Sequence, residues 1–269
     1  MMTSTNIEIC YVLDFRKLPE IPVNCKRIYF GHETCEKLLP AIDEIGNLLE
    51  TAEKRRIGLT FVTPFLTERG MDKVLCFLEQ LKTITADAIE VVTSDWGLLH
   101  WLAFNNDVGT PVAGRFITGQ QLDFRITEAG RLSKEMAHHV SSCTLLKDKT
   151  LEMLRTMNVN RFEISNVFQQ ITINCDKKYH FSLHVPYVQL TIFRTCPENL
   201  DFNCLKKTCN AKNCSHYRQK WQCRPTQRNI YCLDNALYYS NPDFERQLKL
   251  NDKIDRIVCH ELMFCSPTI

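Results

Sequence analysis

Glycine is scarce in this sequence. The chain of 269 residues has nine glycines, and none of them forms a GxGxxG pattern or a Walker phosphate loop. Such motifs need closely spaced glycines, because the backbone must approach a phosphate group closely. The sequence also has no HExxH and no GxSxG motif, the common signatures of zinc peptidases and serine hydrolases. These absences argue against a dinucleotide-binding protein and give little support to proteolysis.

Long apolar runs and strong charge are also missing. No window reaches the roughly 18 uninterrupted apolar residues of a membrane helix. Residues 1–8 are polar and lack the basic-then-apolar layout of a secretory signal. The formal net charge of +2 gives no global reason to bind nucleic acid or membranes. We therefore expect a cytoplasmic protein without a membrane span, in a compartment where clustered cysteines bind metal more often than they form disulfides.

Cysteine, by contrast, is abundant. The chain has 14 cysteines, and six of them fall within residues 194–232: Cys196, Cys204, Cys209, Cys214, Cys223 and Cys232. The interval 204–228 contains seven lysines or arginines and no acidic residue. Thiolates are soft metal ligands, and cationic surroundings favour the thiolate over the thiol. We interpret residues 194–232, the Cys-rich segment, as a metal or cluster site; disulfides and incidental buried cysteines are the alternatives.

Most of the other cysteines are dispersed along the chain: Cys10, Cys25, Cys76, Cys143, Cys175, Cys259 and Cys265. A free cysteine behaves as a small hydrophobic residue. We expect these seven side chains to be buried.

Predicted strands and helices alternate along the chain. β-rich segments occur at residues 7–13, 27–30, 57–62, 88–93, 111–116, 161–164, 181–183, 188–193, 229–233, 236–239 and 254–259. Helical periodicity lies between several of them, including a helix entered at Pro40, one capped by Thr67 and one over residues 145–157. This alternation implies parallel strands with right-handed crossovers. We predict one domain over residues 1–269, an irregular α/β TIM-like (β/α)8 barrel with the Cys-rich segment as an insertion; an open doubly wound sheet is the alternative.

Functional residues of such barrels lie just past the C-terminal ends of the strands. Polar residues and cysteines in that position are His32, Cys35, Thr63, Thr67, Asp95, Trp96, Arg115, Glu163, Asn166, Arg194 and Cys196. We expect these side chains to converge on one barrel mouth. The alternative is that polar residues follow the strands only because loops are polar.

Roles can be assigned to some of these residues by chemistry. Asp95 and Glu163 are the candidate acid or base groups, and Trp96 is a candidate stacking wall for substrate. Arg115 and Arg194, together with Arg125, could hold an anionic substrate through bidentate hydrogen bonds. The alternative for each arginine is an ion pair at the surface or at a helix end.

Several segments together resemble the peptidase family U-32, the collagenase-like peptidases. They are TPFLT at 63–67, VVTSDWG at 91–97, GR at 114–115, PY at 186–187, RTC at 194–196, DNALY at 234–238 and DRIV at 255–258. The layout is most similar to a short single-domain branch that includes accessory proteins of oxygen-independent ubiquinone hydroxylation. There, a strand ending in Gly and Glu precedes a cysteine, as IYFGHETC does at 28–35.

The resemblance implies a [4Fe–4S] cluster held by Cys35, Cys196, Cys209 and Cys214. Four thiolates far apart in sequence can supply the ligands of such a cluster. The neighbouring Cys204 or Cys223 could replace one of the four. The resemblance further implies a role in an oxygen-independent hydroxylation or related modification, a quinone-precursor-like or RNA substrate, and a partner of similar fold.

A zinc module is the alternative from a different class of function. Cys204, Cys209, Cys214 and His216 could form a Cys3His site that presents the basic segment to RNA. Tyr217 and Trp221 would then stack on bases. This arrangement leaves Cys35 and Cys196 without a role.

Overall fold

The computed structural model describes residues 7–15, 21–85, 88–122, 126, 132–143, 148–194, 196, 218–223 and 226–260. The strands in these ranges are β1 Glu8–Val12, β2 Arg27–Gly31, β3 Gly58–Thr63, β4 Ile89–Thr93, β5 Gly109–Ala113, β6 Arg161–Ser165, β7 His180–Val185, β8 Tyr187–Ile192, β9 Arg218–Cys223, β10 Arg228–Leu233, β11 Ala236–Ser240 and β12 Ile254–Cys259. The helices are α1 Gly46–Arg55, α2 Glu68–Ile84, α3 Trp96–Phe104, α4 Arg115–Thr118, α5 Lys134–Ser141, α6 Asp148–Thr156 and α7 Glu245–Leu250. None of these described helices is long and apolar enough to cross a bilayer.

Eight parallel strands close into a barrel, in the order β1, β2, β3, β4, β5, β6, β7, β12. β12 pairs with both β7 and β1, so the last strand of the chain completes the ring. Most of these strands have buried residues on both faces, as expected where helices cover the outside of a parallel sheet. The predicted TIM-like barrel is confirmed, and the open doubly wound sheet is excluded.

The barrel interior is layered. An apolar layer is formed by one side chain from each of six strands: Cys10, Tyr29, Val62, Val92, Val112 and Val258. Toward the N-terminal end of the strands, the buried Arg256 donates hydrogen bonds to Glu8 and, through both Nη atoms, to Glu90. Buried charges require partners of this kind.

A second, antiparallel sheet has the strand order β8, β11, β10, β9. All four strands lie between β7 and β12 in sequence, so they form an insertion before the last barrel strand. Cys196, Cys223 and Cys232 belong to this insertion. Residues 195 and 197–217, including Cys204, Cys209 and Cys214, lie outside the described residues.

The helix predicted to enter at Pro40 begins later. Residues Ile42–Glu44 form a separate 3-10 turn, and α1 starts at Gly46. The reason is local: the Glu44 carboxylate accepts the backbone N–H of Ala41 at 2.8 Å and closes that turn on itself. The cap predicted at Thr67 is confirmed, because its hydroxyl accepts the backbone N–H of Gly70 at 3.1 Å.

The expectation that the dispersed cysteines are buried is correct only in part. Cys10, Cys25 and Cys143 are buried, and Cys175 and Cys259 are half-buried. Cys76 is exposed, because it lies beside rather than within the buried stripe of α2 that includes Val74 and Phe77. Cys265 lies outside the described residues.

Candidate functional site

The C-terminal end of the barrel contains a small cavity of about 20 Å³. Its lining includes the polar side chains of Tyr29, His32, Glu33, His184, Asp234 and His260. The insertion sheet supplies Asp234, and the ends of β2, β7 and β12 supply most of the others. The structure thus brings polar groups from distant parts of the chain together at this mouth, as expected for this fold.

Gly31 directs the chain into this mouth at the end of β2. Its φ is +103°, and a Cβ there would lie 2.3 Å from the Val62 carbonyl oxygen. Only glycine fits such a position without strain. The turn at Gly31 places His32 and Glu33 side by side in the cavity wall.

Glu33 forms a buried ion pair with Arg115, the first residue of α4. Arg115 Nε donates to Glu33 Oε1 at 2.8 Å, and its Nη2 contacts Oε2, so the pair is bidentate. Burial by itself would raise the pKa of Glu33, but the charge and hydrogen bonds of Arg115 outweigh it, and the pKa lies below its usual value. The predicted anion-binding fork of Arg115 is therefore occupied by Glu33 in this structure.

A chain of hydrogen bonds runs from Glu163 through the two cavity histidines. Glu163 accepts from the hydroxyl of Tyr29 at 3.0 Å and contacts His184 Nε2. His184 Nδ1 lies 2.6 Å from His260 Nε2. Burial, followed by the nearby charges of Arg115 and His184, holds the pKa of His260 well below its usual value. Glu163 is thus central in this network, and its acid or base role stays a prediction.

Cys35 and Cys196 line one open groove of about 540 Å³ beside this cavity. The groove wall also includes Thr34, Phe65 and Arg194. Both cysteines are half-buried. The structure therefore brings together the two predicted cluster ligands that it describes.

The loop that carries Cys35 is held on both sides. The backbone N–H of Cys35 donates to His32 Nδ1 at 3.0 Å. The next residue, Glu36, accepts the backbone N–H of Thr67 at 2.9 Å and also its hydroxyl. This fixes the loop against the start of α2.

The turn between β10 and β11 joins the two cysteine segments. Asn235 Nδ2 donates to the carbonyl oxygen of Thr34 at 2.7 Å and to that of Phe193 at 2.8 Å. The preceding residue, Asp234, lies 3.1 Å from His32 Nε2. One turn of the insertion thus fixes the residue before Cys35 and the strand end that leads to Cys196.

A third cysteine lies in the same neighbourhood. The thiols of Cys196 and Cys232 both donate to the carbonyl oxygen of Asp234, at 3.9 and 3.7 Å. Burial, then the proximity of Cys196 and Asp234, raises the pKa of Cys232 to about 11. Cys232 belongs to the Cys-rich segment, but its spacing in the sequence does not distinguish it as a cluster ligand.

The other predicted site residues have varied positions. Asp95 lines the cysteine groove, and its carboxylate caps α3 by accepting the backbone N–H groups of Gly97 and Leu98. Trp96 follows it and is 43% exposed. Arg194 is exposed in the groove wall. Cys209, Cys214 and Arg125, like His216 and Tyr217 of the zinc alternative, lie outside the described residues.

Sequence reasoning assigned no role to Glu33, His184 or His260. The signal that could have found them is position, because His184 lies near the end of β7 and His260 directly follows β12. Both strand ends point to the mouth of a parallel barrel.

Comparison with solved structures finds neighbours of low sequence identity. A structure described as that of the U32 peptidase Mk0906 is 13% identical, with a TM-score of 0.49, covering 100% of this chain and 96% of that one. A glycoside hydrolase family 18 N-acetylglucosaminidase from Paenibacillus barengoltzii is 9% identical, with a TM-score of 0.38 and 94% coverage of both chains. No family model and no curated protein matches the sequence. Identities this low leave membership of the U-32 family a prediction.

Proposed function

We propose that this chain is an iron–sulfur protein that holds a [4Fe–4S] cluster beside the barrel mouth. Cys35 and Cys196 would be two of its ligands, and Cys209 and Cys214 the other two. One observation carries the proposal: Cys35 and Cys196, which are far apart in sequence, line the same groove. Thiolates from distant segments are the ligands that such clusters use.

The surroundings of the two cysteines support a bound cluster. Asn235 holds both cysteine segments through two hydrogen bonds, so their spacing is set by the fold. The groove is open, which leaves room for a cluster. Lys37 and Arg194 lie in its wall and would offset the negative charge of thiolate ligands.

The cluster would supply electron transfer or a Lewis-acidic iron. The chain's own residues would bind the substrate: Arg194 offers an exposed cation, and Phe65 and Phe193 offer apolar surface in the same groove. This combination suits an aromatic or quinone-precursor-like anion. We propose a role in an oxygen-independent hydroxylation or related modification, together with a partner of similar fold.

The electron balance of such a hydroxylation indicates a function for the partner protein. The oxygen atom would come from water, so that a substrate C–H group and water give C–OH with the release of two electrons and two protons. An electron carrier must accept those electrons, and the partner is the proposed route to it.

Anaerobic purification with iron, sulfide and zinc assays tests the proposal. About four irons and four sulfides per chain, with a broad visible absorption that dithionite bleaches, are expected. Cys35→Ala and Cys196→Ala should each lower the iron content, whereas Cys76→Ala, at an exposed cysteine of α2, should leave it unchanged. Equal iron content in all three variants would contradict the proposed ligands.

The zinc-stabilised RNA-binding module is the second candidate. Trp221 is 46% exposed on β9, a strand at the edge of the insertion sheet. An exposed aromatic side chain can stack on a base. One zinc per chain without sulfide, together with RNA binding weakened by Trp221→Ala, would favour this function instead.

A further inference from the structure

We propose that the cavity inside the barrel mouth binds one divalent transition-metal ion, zinc or ferrous iron, through Glu33, His184 and His260. This site differs from the cysteine groove in both position and ligand type. It uses nitrogen and carboxylate donors from β2, β7 and β12 rather than thiolates. The inference does not depend on the proposed cluster.

The size of the cavity limits its occupant. A volume of about 20 Å³ is enough for one water molecule or one ion. An organic substrate does not fit such a space. His184 and His260 are each 3% exposed, so the space is also shielded from bulk solvent.

The potential ligand atoms are close enough to share one ion. One atom from each of Glu33, His184 and His260 lies within 4.8 Å of the others. His184 Nδ1 and His260 Nε2 are 2.6 Å apart. Metal–nitrogen bonds of about 2.1 Å at angles of about 90° to 109° would place these nitrogens about 3.0 to 3.4 Å apart, so the two rings must separate by about 0.4 to 0.8 Å.

The groups behind the ligands have the arrangement found around bound metals. His184 contacts Glu163 through Nε2, and its Nδ1 faces His260 Nε2, the other proposed nitrogen ligand. Metal-bound histidines commonly have a carboxylate in this position, because it sets the tautomer and the ring orientation. Arg115 likewise orients the carboxylate of Glu33.

The charge balance around the cavity favours a bound cation. Glu33 is paired with Arg115, and among the described residues the buried Glu163 carboxylate contacts the hydroxyl of Tyr29 and the imidazole of His184. Protons on the imidazoles or a bound cation would balance the charge of Glu163. A divalent ion would supply two positive charges.

The type of ligand selects the class of metal. Two histidines and one carboxylate are typical of ferrous iron and zinc, whereas calcium and magnesium prefer oxygen ligands. Three protein ligands also leave a position for water. The site could therefore activate a water molecule or hold one rigidly.

Metal binding to the full-length protein tests the proposal. Chelator-treated Cys196→Ala protein, which weakens the cysteine groove as a competing site, is titrated with Co²⁺ and its visible ligand-field bands are recorded. We expect one tightly bound Co²⁺ per chain. His260→Gln should weaken binding at least tenfold in the same background, and His180→Gln, which changes an exposed histidine on β7, should not.

Glu163→Gln provides a second variant, because it leaves all three ligands in place. Loss of its negative charge should weaken Co²⁺ binding about tenfold to a hundredfold through the orientation of His184. Far-UV circular dichroism and the urea midpoint establish whether each variant is folded. Unchanged affinity in folded His260→Gln and Glu163→Gln, or no uptake of Co²⁺ or Zn²⁺ by the Cys196→Ala protein, would overturn the proposal.

Discussion

Arg115 and Glu33 form a bidentate ion pair across 82 positions of sequence, and Arg115 is 2% exposed. The pair joins the end of β2 to the start of α4. It thereby connects the cavity wall to the far side of the barrel mouth. The pair should stabilise the fold, and it occupies the guanidinium that was assigned to substrate binding from the sequence.

Arg115→Met should strongly destabilise the protein. The substitution leaves the buried Glu33 carboxylate without its partner, and breaking a buried pair costs about 3–5 kcal/mol. Urea unfolding at pH 7 measures this cost. Lys54→Met is the control, because the Lys54–Glu50 pair is solvent-exposed and its loss should not be detectable. Equal stability of the two variants would contradict the structural importance of the Arg115 pair.

Glu90 should make stability dependent on acid pH. Burial opposes its ionised form, but Arg256 outweighs burial and lowers the pKa of Glu90 from 4.5 to about 2. A carboxyl group with a lowered pKa contributes stability above its unfolded pKa and loses it as pH falls toward the folded value. This shift corresponds to about 3 kcal/mol, lost between about pH 4.5 and pH 2.

The measurement is urea unfolding of wild type and Glu90→Gln at pH 6, 4 and 3. Glu90→Gln should be less stable at pH 6, and the difference from wild type should shrink with acidification. Glu50→Gln, at an exposed helix position, should follow the wild-type curve. A stability difference between wild type and Glu90→Gln that stays constant with pH would refute the assignment of this acid sensitivity to Glu90.

Gly31 should not tolerate a side chain. Gly31→Ala combines a φ of +103° with a Cβ 2.3 Å from a backbone oxygen, so we expect a loss of at least about 2 kcal/mol. Gly46→Ala is the matched control at the start of α1, where a Cβ meets nothing within 4 Å. That change should be neutral or slightly stabilising. Chemical denaturation of both variants provides the test.

Asn235 should affect both stability and cluster content. Asn235→Ala leaves the carbonyl groups of Thr34 and Phe193 without this donor, at a cost of about 1–3 kcal/mol. We also expect reduced iron content, because the two cysteine segments lose their shared contact.

Asn241→Ala separates these two effects. Its side chain also donates to two backbone carbonyls, those of Asn166 and Val167, but it does not line the cysteine groove. It should cost similar stability and leave the iron content unchanged. An equal loss of iron in both variants would show that general destabilisation, not the Asn235 contact, determines metal content.

The alternation of strands and helices in the sequence predicted the barrel and the position of its mouth. Strand and helix periodicities are local properties, since they depend on which face of each segment is buried. The same reasoning placed Cys35 and Cys196 correctly after strand ends, but it also placed Glu163 there, and Glu163 lies within β6. It failed for the helix predicted at Pro40, where a local hydrogen bond from Ala41 to Glu44 closed a separate turn.

Which of these residues come into contact depends on the tertiary structure. Closure of the ring by β12 brings His260 to His184, and the insertion sheet brings Asp234 and Asn235 over the end of β2. Neither contact can be predicted from the periodicity of the sequence, because each depends on how distant strands are ordered and paired. The Glu33–Arg115 pair is of the same kind: breaking it is costly because it is buried, and burial exists only after the whole barrel has closed.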